Sequence, residues 1–314
     1  MNNFIFSLNA TVPIFLVILL GWILRQRHML TKEFASVSDK FVFKIALPCL
    51  LFKDIATANI KETFDLTFVL FCMIVTTIIF LTTWLLTALF MKDKSMVGAF
   101  IQASVRGSSA VLGIAFVQNI YGSSGMAPMM IVASVPLYNI FSVIILTFHS
   151  NEATKDTNMI KTACINILKN PIIIAIFAAL VVALLEIPIP DMALKTVSNV
   201  AATATPLALL VVGATFEGKK AISKIKPTAL ATFIKLILLP VLFLPLAYLF
   251  GFRDSKMVAI LVMLASPTTV TCYIMAKNMH NDAVLSSSIV VTATLFSSVT
   301  LTMWVYLLRI LGLI

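Results

Sequence analysis

Arg106 stands deep inside an apolar run, in the segment Ala103-Ser104-Val105-Arg106-Gly107-Ser108-Ser109-Ala110. A second run carries Ala265-Ser266-Pro267-Thr268-Thr269-Val270-Thr271. Each segment puts a helix breaker and several hydroxyls about ten residues into its run, which at 1.5 Å per residue is roughly 15 Å, near the middle of a bilayer. Gly107 weakens a helix through backbone entropy, and Pro267 removes a donor and clashes with the preceding turn. Backbone groups freed at that depth need partners from protein or from a wet cavity. A half-helix that starts at such a break turns its free N–H groups and its positive end toward that cavity. Two such ends brought together make an anion site built from backbone, and the planar fork of Arg106 suits a carboxylate. The candidate substrate-binding residues are therefore Arg106, Gly107, Ser108 and Ser109 from the first segment. From the second come Pro267 as breaker and Thr268 and Thr269 as hydroxyl donors. Tyr138 and Asn139, in a neighbouring run, supply polar edges to the cavity or cap a packing interface. Two alternatives stay open: the small residues also suit close helix packing, and Arg106 could serve as a structural partner of backbone carbonyls. Lys235, some eight residues into another run, is long enough to snorkel toward the cytoplasmic face, as is Lys44.

Other chemistry is not supported. No Asp or Glu falls at mid-depth of a run, so there is no evident proton relay or sodium ligand, and coupling to either ion has no assigned carrier. No cofactor is implied. Cys49, Cys72, Cys164 and Cys272 are far apart, with no CxxC pair, and read as small core residues rather than a disulfide or zinc set. His28, His149 and His280 lie in separate loops, and neither HExxH nor GxSxG occurs, so an enzyme is not expected.

The elements that would hold these residues follow from composition. Of 314 residues 60% are hydrophobic and 11% charged, with a mean hydropathy of +1.05. A soluble domain would carry roughly a quarter charged residues, so lipid must be the solvent for most of the chain. Apolar runs near 9–24, 41–56, 66–90, 97–119, 125–148, 171–187, 193–216, 228–250, 257–277 and 284–308 predict ten transmembrane helices. The runs are continuous rather than alternating, which favours helices over a barrel. With both termini placed outside, the cytoplasmic segments hold 14 Lys and Arg and the external ones 6. That bias supports the orientation and explains the net charge of +10 as topogenic, not as a nucleic-acid surface. Residues 1–10 lack a basic region and a small-residue cleavage site, so a removable signal peptide is not expected.

The chain also repeats itself. Pro13 and Pro48 are 35 residues apart, as are Pro171 and Pro206, and the pairs are related by an offset of 158. Gln118-Asn119-Ile120-Tyr121 faces Lys277-Asn278-Met279-His280 at an offset of 159. These matches suggest a first five-helix repeat, 1–150, a cytoplasmic linker, 151–170, and a second repeat, 171–314. Five is odd, so the second repeat enters the membrane inverted, and the broken fourth and ninth helices become mates. Inverted repeats are a hallmark of secondary transporters, whose sites lie at the repeat interface.

Several segments carry a resemblance. Ala46-Leu47-Pro48-Cys49-Leu50-Leu51-Phe52, Leu112-Gly113-Ile114 followed by Ile120-Tyr121-Gly122, and Ala265-Ser266-Pro267 followed by Ala276-Lys277, Asp282 and Leu285-Ser286 resemble the auxin efflux carrier family. That family includes plant PIN carriers and bacterial permeases described as malate or malonate transporters. The resemblance implies an all-α membrane protein with ten helices in two inverted five-helix repeats, crossed helices four and nine, and an elevator-type movement. This is the PIN-like, bile-acid-sodium-symporter-like architecture. It further implies an organic anion as substrate, a bacterial plasma membrane and, since family members often pair, a homodimer. Plant members carry Pro-Asn at the first crossing, where this chain has Gly107-Ser108 preceded by Arg106. A small, strongly charged carboxylate fits Arg106 better than auxin does. The expected function is thus a secondary transporter of small organic anions: mono- or dicarboxylates such as malate or malonate, or auxin-like weak acids. An organic-anion channel that uses the same crossing as a constriction is the alternative.

Overall fold

A computed structural model describes residues 2–57, 65–123, 125–150, 164–165 and 167–314. Most of the linker expected at 151–170 lies outside them. Among the described residues the chain is all-helical, without strands; the one extended contact is an isolated antiparallel bridge between Gly107 and Thr268.

The first elements are α1 (Asn2–Gln26), α2 (Lys32–Phe41) and α3 (Leu47–Ala56), with a π-helical turn at Val42–Ala46 joining α2 to α3. Pro48 explains the turn. It cannot donate to the Lys44 carbonyl four residues back, and the helix widens where that bond is missing. The second predicted span was placed from 41, but helix already begins at Lys32. The Thr31 hydroxyl accepts from the Phe34 amide at 3.1 Å and caps the end. The polar residues that read as loop are in fact one face of an amphipathic helix, whose other face buries Ala35, Ser38 and Asp39.

Next come α4 (Leu66–Phe90), the interrupted pair α5 (Val97–Val105) and α6 (Ser109–Tyr121), and α7 (Ala127–Phe148). The remaining elements are α8 (Pro171–Leu184), α9 (Asp191–Ala202), α10 (Ala204–Thr215), α11 (Gly218–Ser223) and α12 (Ile225–Phe233). A second π turn, Ile234–Leu238, precedes α13 (Leu239–Leu249). The second interrupted pair, α14 (Asp254–Ala265) and α15 (Thr271–Asn278), leads to α16 (Ala283–Ile310). The second π turn repeats the logic of the first. Pro240 leaves the Leu236 carbonyl without its donor, and the Trp304 indole of α16 supplies one at 2.9 Å.

Among the described residues five stretches are long and apolar enough to cross a bilayer: Leu66–Phe90, Ala127–Phe148, Asp191–Thr215, Ile225–Leu249 and Ala283–Ile310. Val12–Gln26 and Pro171–Leu184 are apolar but shorter. All seven coincide with predicted spans. Two of the other predicted spans, 97–119 and 257–277, are the interrupted pairs. Large apolar side chains lie open on the outer faces, among them Leu85, Leu89 and Phe90 of α4 and Phe177, Val181 and Leu184 of α8. Exposed stripes of that extent would be a liability in water and are what lipid requires. The protein is an integral membrane protein. Of the cysteines, Cys72 and Cys272 are buried as expected, whereas Cys164 is exposed.

Two features fix the interior. The first is the contact of α1 with α10, where backbone meets backbone. A Cβ on Gly21 would fall on the Leu210 carbonyl oxygen, and one on Gly213 on the Ile18 carbonyl oxygen. Small residues permit such approach, which maximises dispersion where no hydrophobic effect acts between helices. The second is the enclosure of the interrupted rods: every residue of α5, and α14 from Met257 to Ala265, is buried.

Candidate functional site

The two interruptions meet. α5 ends at Val105, Arg106 is extended (φ −76°, ψ 120°), and α6 starts at Ser109. α14 ends at Ala265, Ser266 is extended (φ −64°, ψ 150°), and α15 starts at Thr271. Between the breaks the Ser108 amide donates to the Pro267 carbonyl at 2.9 Å, beside the Gly107–Thr268 bridge.

Each break frees carbonyls that a continuous helix would have satisfied from four residues on. Ala103 loses the Gly107 amide and accepts from the Thr268 hydroxyl at 2.6 Å. Val105 loses the Ser109 amide and accepts from Lys235 Nζ at 2.9 Å. Met263 loses the donor that Pro267 lacks, and it accepts from Lys235 Nζ at 3.1 Å and from the Tyr138 hydroxyl at 3.2 Å. One ammonium thus caps both breaks. Gly107 leaves room for both side chains: a Cβ there would overlap Ser266 Oγ and come within 2.8 Å of Lys235 Nζ, so one of them would have to move.

Arg106 is 5% exposed. Its Nη2 donates to Asn139 Oδ1 at 2.8 Å, and its Nη1 lies 2.8 Å from the Met275 sulfur, a weak acceptor. Asn139 is held for this by its own Nδ2, which donates to the Val135 carbonyl at 2.9 Å. A guanidinium has five donors, so one amide oxygen and a thioether leave much of its capacity unused. Among the described residues no carboxylate pairs with Arg106 or Lys235. Three further buried polar atoms at the crossing, Gln102 Oε1, Ser109 Oγ and Ser266 Oγ, carry no hydrogen bond.

The structure therefore brings together Arg106 with Asn139, Gly107 and Ser108 with Pro267 and Thr268, and Tyr138 with the end of α14. Ser109 opens α6, buried beside the Tyr138 phenol. The Thr269 hydroxyl lies 3.2 Å from that of Thr271 on its own segment. Lys235 corrects the snorkelling expectation, being 0% exposed at the centre of the crossing. A Lys eight residues into an apolar run with Pro240 five residues on was the available signal, since that Pro opens the helix into the π turn that contains Lys235, and π turns are frequent at functional sites. Among the described residues no group of three or more His, Cys, Asp or Glu is placed to hold a metal ion.

At the start of α4 the electrostatics are conventional. Asp65 caps α4 by accepting from the Phe68 amide at 3.0 Å and ion-pairs with Lys256. The Lys256 ammonium, and then that amide, hold its carboxyl below the usual range.

Comparison with known proteins supplies the context. A family described as membrane transport protein matches residues 6–305. The chain is 24% identical over 315 residues to the "Uncharacterized transporter YfdV" of Escherichia coli (strain K12), covering 98% of this chain and 99% of that one. It is 22% identical over 302 residues to an "Uncharacterized transporter" of Methanothermobacter thermautotrophicus, covering 96% and 98%. It is 24% identical over 308 residues to the "Putative malonate transporter" of Rhizobium meliloti (strain 1021), covering 96% and 95%. With nearly its whole length matched and its interrupted helices enclosed in an all-helical membrane fold, the chain belongs to the membrane transport protein family, that of the auxin efflux carriers, and is a transporter rather than an enzyme.

Proposed function

We propose that the protein is a secondary carrier for small organic anions, mono- or dicarboxylates of the malate or malonate kind. The observation that carries this reading is the buried Arg106 guanidinium, with the buried Lys235 amine beside it where two interrupted helices meet, and no carboxylate partner for either among the described residues. A buried charge is costly unless compensated, and a carboxylate guest is the compensation that chemistry favours. The relative named as a malonate transporter supports the same substrate class. In this reading Arg106, Ser108, Ser109, Asn139 and Thr268 receive the guest, and Gly107 and Pro267 hold the breaks open. Tyr138 and Thr269 complete the polar rim. Ten spans arranged as two inverted five-helix repeats, 1–150 and 171–314, with both termini outside, would let one bundle carry the crossing past the other as an elevator.

Reconstituted protein should show uptake of labelled malonate or malate that saturates and is stimulated by unlabelled substrate on the far side. Flux without that stimulation would favour a channel. Arg106→Ala should keep its fold and lose about ten- to a hundredfold in uptake, the worth of one to two hydrogen bonds to a charged group. Unchanged uptake would remove Arg106 from the site.

A further inference from the structure

A second charged group sits on α15, away from the crossing. Lys277 ion-pairs with Asp39 of α2 and donates to the Tyr273 hydroxyl at 3.1 Å. That hydroxyl shares a hydrogen bond with Thr215 of α10 at 2.7 Å. Asp39 is 2% exposed, and its Oδ1 has no hydrogen bond. Lys277 and Tyr273 form one wall of a cavity of about 690 Å³, closed by the end of α1, the start of α2, the end of α10 and the start of α16. The other charged groups lining it are Arg25, Lys32, Lys220 and Glu217, and Glu217 is already paired with Lys220 at 2.8 Å. The cavity is thus strongly positive, and its volume falls within the range of small-molecule sites. Lys277 lies six residues beyond Thr271, where α15 starts, so a guest held there is about 9 Å along one half-helix from the crossing.

We propose that this cavity is an entry site for the carboxylate substrate, and that Lys277 passes from Asp39 to the incoming carboxylate while Asp39 takes up a proton. The inference rests on the organic-anion reading above. The exchange balances. The Lys277–Asp39 ion pair breaks, a Lys277–guest pair forms, and one proton from solvent bonds to the Asp39 carboxylate. The site then gains the charge of the guest plus one. The proton is required because Asp39, left ionised and alone in so enclosed a place, would carry the penalty of an unpaired buried charge. The titratable groups that face Asp39 are Lys277 and Tyr273 of α15. Asn278 contributes only an amide, 3.4 Å from the Asp39 backbone carbonyl. Arg25, Lys32, Lys220 and Glu217 line the cavity, and Asp39 is the buried carboxylate that the exchange leaves without its partner.

The test is calorimetric titration of the purified full chain with malonate between pH 7.0 and 8.5, in buffers of different ionisation enthalpy. The wild type should take up about one proton per malonate, with affinity rising toward a limit of about tenfold per pH unit as pH falls. Asp39→Asn should bind malonate at least as tightly as wild type at pH 8.5, with the proton uptake gone. Lys277→Met should weaken binding tenfold or more, and so should the double variant Asp39→Asn/Lys277→Met, which leaves no lone charge to compromise folding. Malonate binding by wild type without proton uptake, or a weaker and still pH-dependent Asp39→Asn, would overturn the inference and leave the carrier reading standing. No binding of malonate, malate or a monocarboxylate to wild type would overturn both.

Discussion

The two breaks at the crossing reach the same outcome by opposite chemical means. The first relies on a missing side chain. Gly107 lets Ser266 and the Lys235 ammonium approach the backbone, and a full charge, Arg106, stands beside it. The second relies on a ring. Pro267 withholds the donor that Met263 would have used, and the flanking residues are neutral hydroxyls. Neither break closes its own books on hydrogen bonding: Ala103 of the first is capped by Thr268 of the second, and Lys235 caps both. On the carrier reading proposed above, the first break holds the charge that would select a guest, while the second is built to stay open.

The sharpest way to break that pairing is Lys235→Met, which keeps the bulk and removes the shared cap. Tyr138 still serves Met263, but Val105 is left without its donor, so a loss of about 1–3 kcal/mol is expected. Thermal unfolding in detergent would measure it, and transport should be lost with it. A stable, active variant would show that the ammonium is dispensable to both breaks.

Gly107→Ala tests the first break alone. Its Cβ has no space between Ser266 and Lys235, and crowding of this kind costs about 1–3 kcal/mol. An unchanged melting temperature would mean that Lys235 yields easily.

Pro267→Ala tests the second break. It restores a donor for Met263 and removes a residue about 3 kcal/mol less favourable than Ala in a helix interior. Stability should hold or rise by a part of that, because Thr268 stays anchored to Ala103, while uptake falls. Wild-type uptake would show that the hydroxyls alone keep the rod interrupted.

The smallest effect lies at the rim, where Asp65→Asn serves as a control remote from both breaks. The Asp65 carboxyl is held below its unfolded value, so its contribution is present above the unfolded pKa and is lost as pH falls through the folded one. The variant should lose that acid-side dependence of unfolding, with a change of about 1 kcal/mol or less at neutral pH.

Much of this was legible in the chain. Gly107 and Pro267 announce the breaks because both weaken a helix wherever they fall, and Arg106 announces the charge because nothing cheap explains it at that depth. What stayed hidden depends on rotation and partnership. Whether Lys235 turns inward or snorkels is decided by how its helix is phased against α5 and α14, which a single sequence does not contain. The segment 32–40 read as loop because its polar residues obscured a helical face that packing against α10 and α15 reveals. Asp39 finds Lys277 across a separation of 238 residues, and no local pattern encodes that pairing.

The glycine contact between α1 and α10 carries a mechanical consequence. Gly21 rests on the Leu210 carbonyl while Gly213 rests on that of Ile18, so the two rods are clasped at reciprocal points with no side chain to act as a bearing. Such a clasp resists sliding. On the elevator reading proposed above, displacement would then occur across better-lubricated seams elsewhere, with this pair serving as the fixed post.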